Sequence, residues 1–198
     1  MNPVIFIKVK PYLKEYLMNL EDSQGDKIYP KEPIRFGSKT RLRLLLDRFR
    51  RVPGPRNKMV VPTTAEERKH YLAVEIPVDH SVKGDVCRTF LSTDSQSHIS
   101  KLLYDEFLVA AVEYVKLHFE WQRQTFPRCE PILSQAYRAF FDDYGIESMD
   151  EEALRKALFR RRELLPDISA KKIFERKRNI YPFKSNLLAK KDRQVGNL

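Results

Sequence analysis

Residues 92–124 read STDSQSHISKLLYDEFLVAAVEYVKLHFEWQRQ, and this stretch decides the fold. Ile99, Leu102, Leu103, Phe107, Ala110, Ala111, Val115, Leu117 and Trp121 recur at three- and four-residue spacing, the period of one face of an α-helix. Ser92-Thr93-Asp94 supplies a cap at the front, and Pro127 ends the pattern. The spacing predicts one helix of about 30 residues, long for a globular domain. Its most apolar part, 107–117, contains Glu113 and Lys116, so the stretch is not a bilayer span.

Downstream, Glu130-Pro131 opens a second helix with Leu133, Ala136, Phe140 and Phe141 inside, and Gly145 marks its end. Ser148-Met149-Asp150-Glu151 reads as a capping box, with Ser148 at the cap, for a third helix running to Leu164 before Pro166. A basic helix over 167–179 and a frayed tail over 184–198 follow. Upstream, Ile5, Ile7 and Val9 alternate with Phe6, Lys8 and Lys10, the pattern of a half-buried strand over 3–10. Pro11 suits the first turn of a helix carried to Leu20 by Leu13 and Leu17. Pro33–Phe36 is a short strand candidate. A helix capped by Ser38 then runs to Arg51, where Pro53-Gly54-Pro55 turns the chain. Met59–Val61 and Tyr71–Val78 are further β-rich runs, separated by the polar stretch Thr63–His70. The front of the chain thus reads βαβαββ.

The predicted class is α+β. A small α/β module with a basic helix occupies 1–90, and a helical domain with a helix-turn-helix-like hairpin occupies 91–183. A flexible basic tail occupies 184–198.

Charge is distributed unevenly along the 198 residues. Residues 1–90 carry 18 basic and 11 acidic side chains, 91–150 carry 5 and 10, and 151–198 carry 14 and 6, within a net +10. A basic–acidic–basic layout is more than a solubility excess, and the acidic middle is where the core is expected. With 6 Gly and 12 Pro the chain is neither collagen-like nor of low complexity. The start, MNPVIFIKVK, alternates with lysine and lacks a small-residue cleavage site, so no secretory signal is expected. Cys87 and Cys129 are then expected as thiols in a reducing, cytoplasmic setting.

Four basic features bear on function. The helix 38–51 carries Lys39, Arg41, Arg43, Arg48, Arg50 and Arg51 around the apolar stripe Leu42, Leu45, Leu46 and Phe49, and Asp47 is its only acid. Arginine favours planar, bidentate phosphate contact, so this helix is a candidate polyanion surface. In the hairpin 131–164, Arg155, Phe159 and Arg162 share a row at i, i+4 and i+7, with Arg160 beside them, while Leu154 and Leu158 face the partner helix. Its first turn, Asp150-Glu151-Glu152, would be repelled by phosphate, so the C-terminal half is the better candidate. In the tail, Lys171, Lys172, Arg176, Lys177 and Arg178 precede Tyr181 and Phe183, aromatics able to stack on bases. Strand 4–10 followed by helix 11–20 has the outline of a ribbon-helix-helix element, although lysines guarding an edge strand explain the same residues.

Chemistry-bearing motifs are lacking. His70, His80, His98, His118, Cys87 and Cys129 form no CxxC, HxxxH or HExxH, so no metal is expected. Neither GxxxxGK[ST] nor GxGxxG occurs, and no cofactor or catalytic activity is expected. In general layout, a small α/β front with a helical back and two basic zones resembles DNA-binding accessory proteins of phages and mobile elements. Helix 38–51 and the stretch from Arg155 to Arg178 together lead to the expectation of a DNA-binding regulatory or accessory factor, gripping phosphates through one composite basic surface. The alternatives are a protein-interaction or self-assembling protein whose basic zones meet acids, and RNA binding through the tail.

Overall fold

The structure is a computed structural model that describes residues 2–52, 54, 60–76, 88, 90–129 and 132–164, with side chains described as far as Arg160. It is α+β and mostly helical. Strand β1, Val4–Lys8, buries Ile5 and Ile7 on one side, as the alternation requires. Helix α1, Pro11–Met18, starts on its proline and buries Leu13, Tyr16 and Leu17. Strand β2, Tyr71–Glu75, lies antiparallel to β1 with Val4 opposite Glu75 and Lys8 opposite Tyr71. The stretch 63–70, read as a polar connector, contains a short helix, Ala65–Lys69. Its start is a capping box in which Thr64 accepts from the Glu67 N–H.

Among the described residues, the expected βαβαββ front shows one two-stranded ladder. The candidate strand at 33–36 contributes a single parallel bridge, Ile34 to Val74. There the Ile34 N–H donates to the Ala73 carbonyl and the Glu75 N–H to that of Ile34. Pro33 has no N–H to extend the ladder. Val60 and Val61 form no strand, whereas Met59, Pro77 and Val78 lie outside the described residues.

Helix α2, Arg41–Phe49, begins two residues later than a cap at Ser38 would place it. Its cap is Thr40, whose Oγ1 accepts from the Arg43 N–H, and not Ser38. Residues 37–40 close a turn first, the Thr40 N–H donating to the Gly37 carbonyl, and this leaves Ser38 too far back to reach the helix.

The long helix α4, Thr93–Thr125, is capped from within the expected cluster Ser92-Thr93-Asp94, and the cap is Ser92. (The short helix 65–69 is α3.) Helix α5, Leu133–Tyr144, ends on Gly145 in the left-handed conformation, φ 55°. A β-carbon there would also sit 2.8 Å from the Asn19 side-chain nitrogen, so the position favours glycine on both counts. Helix α6 spans Glu151–Leu164. Its cap is Asp150, which accepts from the Ala153 N–H at 2.6 Å. Ser148, expected in that role, instead turns towards α1 and donates to Glu15.

One buried cluster joins Ile5, Ile7, Leu72 and Val74 of the strands to Ile99, Leu103 and Phe107 of α4 and Phe140 of α5. It therefore runs across residue 90, where the charge pattern changes sign. Phe107 is its centre. It is fully buried, with the Tyr12 and Tyr16 rings each at 5.3 Å and the Phe140 ring at 5.7 Å. Edge-on and tilted ring pairs of this kind add about 0.5–1.5 kcal/mol each beyond the area they bury.

Candidate nucleic-acid interface

Helix α2 packs its apolar stripe against α4 near the first turns of that helix, where the Phe49 ring meets His98 at 5.9 Å. Leu42 and Leu46 are fully covered, and Leu45 and Phe49 half covered. This phase divides the arginines into two sets. Arg43 and Arg50, on the border of the stripe, are buried to 9% and 5% exposure. Both reach Asp47: Arg43 Nε lies 2.8 Å from one carboxylate oxygen and Arg50 Nη2 lies 2.9 Å from the other. The expectation that these two arginines face phosphate is therefore corrected. Guanidinium groups removed from water need a carboxylate beside them, and Asp47 is that carboxylate.

Lys39, Arg41, Arg48 and Arg51 remain exposed. Arg41 and Arg48 are seven residues apart, nearly two turns along one face. Neither has an acidic partner among the described residues. Arg51 folds back at the helix end, its Nη1 donating to the Arg48 and Arg50 carbonyls at 2.9 and 3.0 Å. Its backbone pairs with Phe90. Between Arg41 and Arg48 lies Leu44, which its phase excluded from the stripe and which is 59% exposed. It is the member of this face that charge counting overlooked, although helical phase alone marks it.

On α6, Leu154, Ala157 and Leu158 are buried, and Arg155, Lys156, Phe159 and Arg160 are exposed, as the row reading required. Arg155 is not free, however. Its Nε and Nη2 donate to the two oxygens of Glu152 at 2.9 and 2.8 Å, and Lys156 approaches the same carboxylate at 3.3 Å. The bond from Arg155 first, then Lys156, holds the Glu152 carboxyl below the usual range. Glu151 pairs with Arg138 of α5. The acids of the first turn thus absorb the nearest bases, and among the described residues the positive charge without an acidic partner shifts towards Arg160, beside Phe159 at 64% exposure. Six residues, 145–150, join α5 to α6, more than the three or four of a typical helix-turn-helix turn. Arg162 lies on α6 with its side chain outside the described set. Lys171, Lys172, Arg176, Lys177 and Arg178, the expected helix 167–179 and the tail lie outside it altogether.

Both basic helices are mounted on α4, α2 through its apolar stripe and α6 alongside α5. Among the described residues no three His, Cys, Asp or Glu side chains gather into a metal site, and no helix is long and apolar enough to cross a membrane. No family model, curated protein or solved structure matches the chain.

Proposed function

We propose that the chain binds nucleic acid, DNA in preference to RNA, through the outward face of α2, with the C-terminal half of α6 as a second contact. The observation that carries this reading is the division of labour around Asp47. The one acid of α2 is spent on Arg43 and Arg50, so Arg41 and Arg48 stand exposed without an acidic partner among the described residues. An ordinary solvated helix face mixes acids with bases for i,i+4 pairing, and this face has none. Phosphate contacts of this kind supply affinity and register, not sequence readout.

The experiment is binding to a mixed-sequence duplex across a salt series. Each neutralised phosphate contributes a slope of about −0.9 in log K against log salt. The double variant Arg41→Ala/Arg48→Ala should make the slope shallower by about 2, whereas Lys69→Ala, which removes a base already paired with Glu66, should leave it unchanged. An unchanged slope in the α2 double variant, with folding intact, would sink the proposal.

Leu44 favours a second reading, a protein partner or a second copy of the chain docking on the same face. A large apolar side chain at the middle of a basic row is an anchor for a protein surface. Leu44→Ser should weaken protein association and leave the salt slope on DNA intact.

A further inference from the structure

The corner between α4 and α5 is closed by a chain of polar contacts whose donors and acceptors can be assigned from its backbone end. The Ile132 N–H, at the cap of α5, donates to Gln122 Oε1 at 3.0 Å. An N–H can only donate, so the Gln122 oxygen is fixed and its amide nitrogen must face the other way. That nitrogen donates to Gln135 Oε1 at 2.9 Å and lies 3.2 Å from His118 Nε2. Its second hydrogen can use a lone pair on His118 Nε2 when the neutral ring carries its proton on Nδ1, a buried atom with no hydrogen-bond partner among the described residues. An imidazolium would set an N–H against an N–H₂.

We propose that His118 and Gln122 form an acid-sensitive latch, which holds the start of α5 on α4 only while the imidazole is neutral.

The surroundings oppose each other and leave burial ahead. His118 is 8% exposed, with the Tyr114 ring stacked at 6.2 Å and Trp121 at 5.3 Å. The aromatic faces favour a cation. So does Asp143, the charged group of α5 that acts on the ring, although its carboxylate is engaged by the Tyr114 hydroxyl at 2.6 Å. Burial outweighs Asp143, and the His118 pKa falls below the ordinary value of 6.5. A depressed histidine contributes stability that is complete above the unfolded pKa. It is lost as pH falls below about 6.5 towards the folded value. Protonation therefore costs the Gln122 contact first, and with it the seat of Ile132 and Gln135 at the entry to the α5–α6 hairpin.

The first test needs no variant. Long-range ¹H–¹⁵N spectra of the full chain near pH 7.5 should show His118 neutral with its proton on Nδ1. A proton on Nε2, or a charged ring, would overturn the latch. In an acid titration the emission of Trp121, the chain's single tryptophan, should shift with the same midpoint as the His118 carbon resonances. No shift across that midpoint would also overturn it. Finally, the melting temperature of the wild type should fall between about pH 7.5 and pH 5.5 by a few degrees more than that of His118→Gln, whose amide oxygen still accepts but cannot titrate. Equal losses in the two proteins would refute the proposal.

Discussion

Glu15 on α1 grips Ser148, 133 residues later in the chain. One carboxylate oxygen accepts from the Ser148 N–H at 3.1 Å and from its hydroxyl at 2.9 Å, and also takes the Glu147 N–H at 3.0 Å. The turn that joins α5 to α6 is thereby fixed to the first helix of the protein, and the hairpin cannot rotate as a unit without releasing three donors.

Glu15→Ala should therefore lower stability by about 1–3 kcal/mol, because one charged acceptor serves three donors at a half-covered site. Ser148→Ala keeps both backbone contacts and should cost less. Urea unfolding of the two variants at neutral pH checks the order. A Ser148 variant as unstable as the Glu15 variant would contradict it.

Phe107→Ala should cost about 3–5 kcal/mol, the range for emptying a fully buried ring site. The cavity would be bordered by Tyr12, Tyr16 and Phe140, on elements that cannot all collapse into it together. A variant that melts like the wild type would disprove the central place of this ring.

The α2 arginines should separate by stability. Arg41→Ala and Arg48→Ala expose nothing and should stay within about 0.5 kcal/mol of wild type. Arg43→Ala and Arg50→Ala remove buried partners of Asp47 and should each cost about 1–3 kcal/mol. Thermal denaturation of the four single variants measures the split, and a uniform small effect would show that the buried pair adds nothing.

Alkali should unfold the protein. Burial pushes the Tyr12, Tyr29 and Tyr144 hydroxyls from 10.0 up to about 12, and Tyr16 also well above its ordinary value. A raised folded pKa means that the native state holds protons the unfolded chain gives up. This stability is complete below pH 10 and is lost as pH climbs through about 12. Tyrosinate absorbance and circular dichroism followed together should rise and fall in one transition above pH 10. Phenol ionisation that precedes unfolding with a midpoint near 10 for all nine tyrosines would refute it.

Features encoded within one or two turns of chain were legible beforehand. The 92–124 pattern marked α4 with its cap within Ser92-Thr93-Asp94, Gly145 marked the end of α5, and the row phase marked the exposed Arg155 and Phe159. Caps went astray where two candidates lay close together. Thr40 displaced Ser38 and Asp150 displaced Ser148, because in each case the earlier residue was drawn into another contact or turn.

The sequence alone thus determined where the long helices lie, which faces of them are apolar, and where the positive charge is concentrated, but not the short helix Ala65–Lys69. These follow from periodicity and composition, which act through neighbours three or four residues apart. Tertiary structure alone decided which basic side chains remain available. Arg43 and Arg41 are two positions apart on one helix, yet one is buried against Asp47 and the other faces water. The border of an apolar stripe has no intrinsic preference between core and solvent. What packs beside it settles the matter, and that packing brings together residues as distant as Glu15 and Ser148, whose pairing leaves no local trace in the chain.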